Sequence, residues 1–233
     1  MILTKAKRII SIIFGKEKIF FPVEASVKDI ECLRFCMPFT MTSASRLYAT
    51  LSSVKYVVNN NIEGDIVECG VWRGGNSMVM AKTLFDLGKI DRDIYLFDTF
   101  EGMTAPTDQD FDSSGQQASS QLDAAEKKEG NNIWCIANVE DVRSNLIATG
   151  YPPDRLHFIE GDVAETLERN SNIPDKIAVL RLDTDWYEST KKELEVLFPR
   201  LVKGGSVLST IMDTGKVQER LLMNIWRSIK FTL

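Results

Sequence analysis

A single histidine, His157, stands in the 233 residues. A metal site built from several histidines is thereby excluded. That histidine sits in an apolar strand pattern, which points to a structural role. Cysteine is scarce too: Cys32, Cys36, Cys69 and Cys135 make no CxxC pair and no disulfide framework. Free thiols in a reducing, cytoplasmic setting are the expected state. No apolar run approaches the ~18 residues of a membrane-spanning helix, so no transmembrane segment is expected. The net charge of −5 argues against general nucleic-acid binding. Two phosphate-binding signatures are also missing. No GxxxxGK[ST] loop occurs, which removes a triphosphate site, and no GxGxxG occurs, which removes the dinucleotide fingerprint.

What remains is ordinary for one soluble α/β domain: 44% hydrophobic and 26% charged residues. The basic, apolar start MILTKAKRIISIIFGKEKIFF lacks a long hydrophobic region and a small-residue cleavage site. It reads as an amphipathic helix packed on its own domain or, alternatively, touching a membrane surface. Residues 1–37 form an appended, partly helical arm, where two copies of the chain have a place to pair as a homodimer. Residues 38–233 form the main domain.

The centre of the chain is Gly64-Asp65-Ile66-Val67-Glu68-Cys69-Gly70-Val71-Trp72-Arg73-Gly74-Gly75-Asn76-Ser77. It reads as strand, glycine turn and helix start. Glycines 70, 74 and 75 allow a sharp turn and close approach of a ligand. Such a turn binds nucleoside-containing ligands, or is simply a tight turn of an α/β protein. Further strands are expected at Ile94–Phe97, Leu156–Ile159, Lys176–Leu182 and Ser206–Thr210. Helices are expected at Ser45–Asn60, Ser77–Leu87, Asn138–Thr149, Ala164–Arg169 and Ser189–Leu197. Alternation of this kind predicts a doubly wound, mostly parallel sheet. Pro38–Ser43 reads as a polar turn, and the long polar connection Thr104–Asn132, with Ser113 and Ser114 in its centre, as a functional or mobile segment.

Ligands of such sheets sit beyond the carboxyl ends of the strands. Those ends carry Glu68 and Gly70, Asp98, Asp162, and Asp183 with Asp185. Asp98 stands where ribose hydroxyls are held, or caps a helix. An acidic rim suits ribose, a purine amino group, a sulfonium or a hard divalent ion.

Taken in order, GDIVECGVWRGGNS, IYLFDTFEGM, NNIWCIANVEDVRSNLIATGYPPDRLHFIEGDV and KIAVLRLDTDWYESTKKELEVLFPRLVKGG resemble the macrocin O-methyltransferase family. The resemblance covers about Pro38 to Gly205. It implies a Rossmann-like class I fold and metal-dependent methyl transfer from S-adenosylmethionine to a sugar hydroxyl of a glycan or small-molecule acceptor. It further implies that Glu68, Gly70 and the turn Trp72, Arg73, Gly74, Gly75, Asn76 and Ser77 hold the methionine end. Asp98 with Thr99 would hold the ribose, and Asp162 with Val163 would flank the adenine. Thr42 and Ser43 resemble a loop that closes over the cofactor. Asp183 matches the first ligand of Mg²⁺ and is the candidate catalytic carboxylate. Trp186 and Tyr187 are core or pocket wall.

After Gly205 the motif resemblance stops. The family continues with a pattern like GGVLIIDDYGYWQGARKAVDEYLEKY, whose paired aspartates complete the metal site, whereas this chain has GGSVLSTIMDTGKVQERLLMNIWRSIKFTL. Each codon's third base read with the first two bases of the next codon gives glycine across Met212–Asp213 and glutamate across Met223–Asn224, where the family has them. The tail from about Ser206 thus reads as a frameshifted C-terminus, or as a divergent one. On this reading Mg²⁺ is not held by the chain, the last two strands are missing, and the protein is a catalytically impaired cofactor-binding remnant. The coding DNA is the test.

Overall fold

A computed structural model describes residues 19–111, 115–128 and 133–210. The expected amphipathic start before Ile19, Ser113 and Ser114, Asn132, and the tail beyond Thr210, where the loss of two strands is expected, lie outside the described residues.

The chain enters through α1 (Val27–Cys36), which opens with a reciprocal capping box between Ser26 and Asp29. A single helical turn at Met37–Phe39 takes in the first two residues of the expected polar turn. Helix α2 (Ala44–Asn59) follows, its Leu47, Leu51, Val54 and Val57 buried at helical spacing. Then come β1 (Asp65–Cys69), α3 (Gly75–Asp86) and β2 (Ile94–Asp98). The long polar connection holds one short helix, α4 (Ala118–Ala124). Helix α5 (Val139–Ile147) starts at Asn138, whose side chain accepts from the Asp141 N–H as an N-cap. The chain continues through β3 (Leu156–Glu160), α6 (Val163–Thr166), β4 (Ile177–Leu182), α7 (Tyr187–Val196) and β5 (Leu201–Ser209).

The sheet order is β3-β2-β1-β4-β5, and every adjacent pair is parallel. The doubly wound architecture expected from the alternation is therefore present. Successive strand residues feed opposite cores, as a period of two requires. Ile66 and Val179 join the layer made with α1, α2, α3 and α5. Val67 and Leu180 join the layer with α6 and α7. The segment expected as an appended arm is partly built into this core, because Cys32, Leu33 and Cys36 are buried in the first layer.

Strand β5 begins five residues before the expected Ser206. Its register against β4 shifts between Ile177 and Val179, and Gly204 supplies a φ of +82° in the irregular stretch. The Gly204-Gly205 pair thus lies inside the strand as a bulge, where sequence alone suggests a preceding loop. Helix α6 is shorter than expected, four residues long.

Candidate active site

The order reverses between β1 and β4, and a cavity of about 280 Å³ opens there, beyond the carboxyl ends of the strands. Thr42, Gly70, Trp72, Asp98, Thr99, Asp162, Val163 and Asp183 all line it. The structure thus gathers eight of the sequence-predicted site residues around one space.

Gly70 has a φ of +79°, and a Cβ there would lie 2.4 Å from the Asp183 carbonyl oxygen. Only glycine lets β1 and β4 end this close together. Asp98 fastens the turn that follows. Its Oδ2 accepts the N–H groups of Val71 at 2.6 Å and Trp72 at 3.0 Å. Its Oδ1 accepts the Phe100 N–H at 2.8 Å. Thr99 gives its hydroxyl proton to the Gly102 carbonyl at 2.6 Å. A carboxylate offers about four acceptor positions, and the fourth, on Oδ1, is faced by the Thr99 hydroxyl at 3.4 Å. Burial raises the Asp98 carboxyl, and the three N–H donors pull the other way. Trp72 sits at a φ of +48°. Its Nε1 is buried with no partner among the described residues.

The remaining residues of the turn serve the protein itself. Gly74 packs on α5: a Cβ there would lie 2.9 Å from Leu146. A Cβ on Gly75 would lie 2.6 Å from the Thr40 Cβ. Arg73 forms a two-pronged pair with Asp141 at 2.8 and 3.0 Å, and its guanidinium lies over the Phe39 ring. Buried Asn76 donates to Thr42 at 3.3 Å and accepts from Thr50 at 3.0 Å. Ser43 is exposed and caps α2 through the Arg46 N–H.

Glu68 is 1% exposed and is not among the residues lining the cavity. It pairs in register with Arg181 of β4. Arg181 Nη1 donates to Glu68 Oε1 at 2.6 Å, Nη2 donates to Asp183 Oδ2 at 2.7 Å, and Ser77 Oγ donates to Glu68 Oε2. A chain of polar contacts therefore runs from the start of α3 to the rim carboxylate. Burial pushes Glu68 up to about 7, against the pull of Arg181 and Ser77. Asp183 Oδ1 accepts from the Thr210 hydroxyl. Below the rim, Glu193 is fully buried, accepts from Thr184 at 2.8 Å, and is pushed up to about 8, chiefly by burial.

Several wall residues are not singled out as site residues from the sequence: Met41, Arg46, Met103, Thr104, Cys135, Ser189 and Thr210. Trp186, open between core and wall in the sequence, lines the cavity. Arg181 did leave a signal, since an arginine inside the apolar run KIAVLRL must be paired if the strand is buried. His157 lies apart, at the other end of the strands, bonded to Asp93 at 2.9 Å and stacked on Tyr95.

The donor set suits a nucleoside cofactor with a cationic centre: carboxylates on three strand ends, an orphaned indole N–H and a backbone held open by Gly70. It does not suit Mg²⁺. Both oxygens of Asp183 are engaged, one by a guanidinium and one by a hydroxyl. Among the described residues no group of three or more His, Cys, Asp or Glu side chains is placed to hold a metal ion. Nor, among them, is any helix long and apolar enough to cross a membrane.

Comparison with known proteins places this geometry. The chain is 36% identical over 169 residues to the 8-demethyl-8-(2,3-dimethoxy-alpha-L-rhamnosyl)-tetracenomycin-C 4'-O-methyltransferase of Streptomyces olivaceus, covering 72% of this chain and 60% of that protein. It is 32% identical, with the same coverage, to demethyldecarbamoylnovobiocin O-methyltransferase of Streptomyces niveus. The chain thus spans about 60% of the length of these relatives. Among solved structures it is similar to the O-methyltransferase NovP, with a TM-score of 0.68, 27% identity, and coverage of 83% of this chain and 76% of that one. The calicheamicin methyltransferase CalS11 shares the fold, with a TM-score of 0.57, 20% identity, and coverage of 89% and 86%. The family model described as Macrocin-O-methyltransferase (TylF) matches residues 26–228, beginning before Pro38 and running past Gly205, where the motifs give out. The chain belongs to the macrocin O-methyltransferase family.

Proposed function

We propose that this chain transfers a methyl group from S-adenosylmethionine to a sugar hydroxyl of a glycosylated small molecule. One observation carries the reading: a single cavity joins the glycine turn to carboxylates at the ends of β2, β3 and β4. The relatives are named as O-methyltransferases, one of them acting on a rhamnosyl-tetracenomycin.

In this reading Thr42, Gly70 and Trp72 hold the methionine end of the cofactor. Glu68, Arg73, Gly74, Gly75, Asn76 and Ser77 keep that turn in shape. Asp98 takes one ribose hydroxyl on Oδ1 when the Thr99 hydroxyl gives its proton to the Gly102 carbonyl alone, and Asp162 with Val163 flanks the adenine. Bound there, the cofactor supplies an activated methyl group on a sulfonium. The acidic wall favours that cation. Asp183 receives the acceptor's proton on Oδ1, while Arg181 fixes Oδ2 and with it the plane of the carboxylate. Positioning of acceptor against donor supplies much of the acceleration. The divalent ion that the resemblance implies has no part in this account. Four free cysteines suit a reducing cytoplasm, which we propose as the location.

Calorimetric titration with S-adenosylmethionine should show one site per chain. Methyl-labelled cofactor should then mark a rhamnosylated acceptor, with Asp183→Asn slower by about 10²-fold or more. Absence of cofactor binding would sink the reading. A second reading, a protein that binds cofactor without transferring methyl, is favoured by the double engagement of Asp183. It predicts normal titration and no labelled product.

A further inference from the structure

We propose that Asp110 is the positioning residue of the acceptor wall, clasping the 103–111 segment onto the start of α7. The inference rests on the methyl-transfer reading for what the wall receives, and on geometry for the clasp itself.

Asp110 lies in a polar stretch, yet it is 1% exposed. A carboxylate so buried must have partners. Its Oδ2 accepts from the Thr107 N–H at 2.7 Å and the Thr107 hydroxyl at 2.9 Å. Its Oδ1 reaches across 77 residues to accept the Tyr187 N–H at 2.8 Å. Tyr187 is the first residue of α7, and the N-cap of that helix, Trp186, makes no side-chain cap of its own. Asp110 therefore supplies from a distance what a cap supplies locally, with its charge at the positive end of the helix. A second strap runs beside it, from Trp186 Nε1 to the Thr104 carbonyl at 3.0 Å.

The two sides joined in this way face the same cavity: Met103 and Thr104 from the segment, Trp186 and Ser189 from the helix. An indole and a thioether beside two hydroxyls suit a ring with one apolar face and several hydroxyls, as a deoxysugar has. The spacing between them is set by Asp110, whose side-chain hydrogen bonds among the described residues go to Thr107 and Tyr187 and not to the glycine turn. Asparagine at this position keeps one acceptor for Tyr187 but turns an amide N–H₂ toward the Thr107 N–H.

The test uses the full chain with Asp110→Asn, and Thr107→Ala as a milder variant. Hydrogen exchange should quicken about tenfold or more in peptides covering 103–111 and the start of α7 together, with the β1–β4 sheet unchanged. The dissociation constant for S-adenosylmethionine should stay within about twofold, while KM for a rhamnosylated acceptor rises about tenfold and kcat falls less. Thr107→Ala should move the same quantities in the same direction by less. Unchanged exchange at α7 overturns the clasp, and so does faster exchange spread over the sheet. Loss of cofactor affinity in step with acceptor KM overturns the assignment to the acceptor wall. A wild-type chain that methylates no rhamnosylated acceptor sinks the methyl-transfer reading, while the paired exchange response still decides the clasp.

Discussion

The two sides of the cavity are built by opposite means. The glycine-turn side is nearly contiguous: β1, a turn and the start of α3, fastened by one aspartate from the neighbouring strand. The facing wall is assembled from residues near 41, 103, 135, 185 and 210. Backbone geometry shapes the first side, through Gly70 at a φ of +79° and Trp72 at +48°. Buried charge shapes the second: Arg181, Glu193 and Asp110 are all under 4% exposed. A turn encoded by glycines tolerates little change in its own residues. A wall encoded by buried charges depends instead on partners far away in the chain.

Arg181 is where the two schemes meet, because it holds Glu68 under the turn and Asp183 on the rim. Arg181→Met should have the largest effect. It leaves Glu68 buried without its cation, at a cost of about 3–5 kcal/mol in urea unfolding. A cost below about 1 kcal/mol would show that the halves are not joined through this contact.

Glu193 tests the buried-charge side alone. Its carboxyl is raised from 4.5 to about 8 in the fold. The folded state thus keeps a proton that the unfolded chain releases from about pH 4.5 upward. Stability should fall as pH rises from about 5 to about 8, then level off. Glu193→Gln stays neutral and should remove most of that fall, a few kcal/mol at most. Glu68, pushed up to about 7, leaves a smaller slope of the same sign below neutrality. Unfolding free energies at pH 5 and pH 9 measure the difference, and parallel curves for the two proteins would contradict it.

Gly70→Ala probes the backbone side. The new Cβ meets the Asp183 carbonyl at 2.4 Å with φ at +79°, and neither backbone can yield without moving a strand end. A cost of about 2 kcal/mol is expected. Calorimetry should show weaker binding of S-adenosylmethionine as well. Retained affinity would mean that β1 and β4 separate freely here.

The sequence revealed these two sides unequally. The glycine turn, Asp98, Asp162 and Asp183 stood out because each is a local signal at a strand end. The parallel, doubly wound sheet followed from the same alternation, while its strand order came from the structure. Asp110 gave no such signal, since its main partner is 77 residues away and an aspartate in TDQDFDSSG reads as a solvated loop. Gly74 and Gly75 were legible as a turn, but the packing they permit was not. Their missing side chains make room for Leu146 and Thr40. The early start of β5 was hidden by Gly204-Gly205, a pair that reads as a break and in the fold is a bulge.

Arg73 offers the finest test of where the cofactor side ends. The resemblance places it among the cofactor-binding residues, yet its guanidinium turns to Asp141 on α5 and to the Phe39 ring. Both partners of the ion pair keep about a third of their side-chain surface exposed, so solvent screens the charge. Arg73→Lys should exchange two bonds for one at a cost below about 1 kcal/mol. If Arg73 only keeps the turn in shape, S-adenosylmethionine should bind the variant within about twofold of the wild type. A tenfold loss would instead draw Arg73, and with it the start of α5, into the cofactor side. The contiguous half of the site would then have a distant partner of its own.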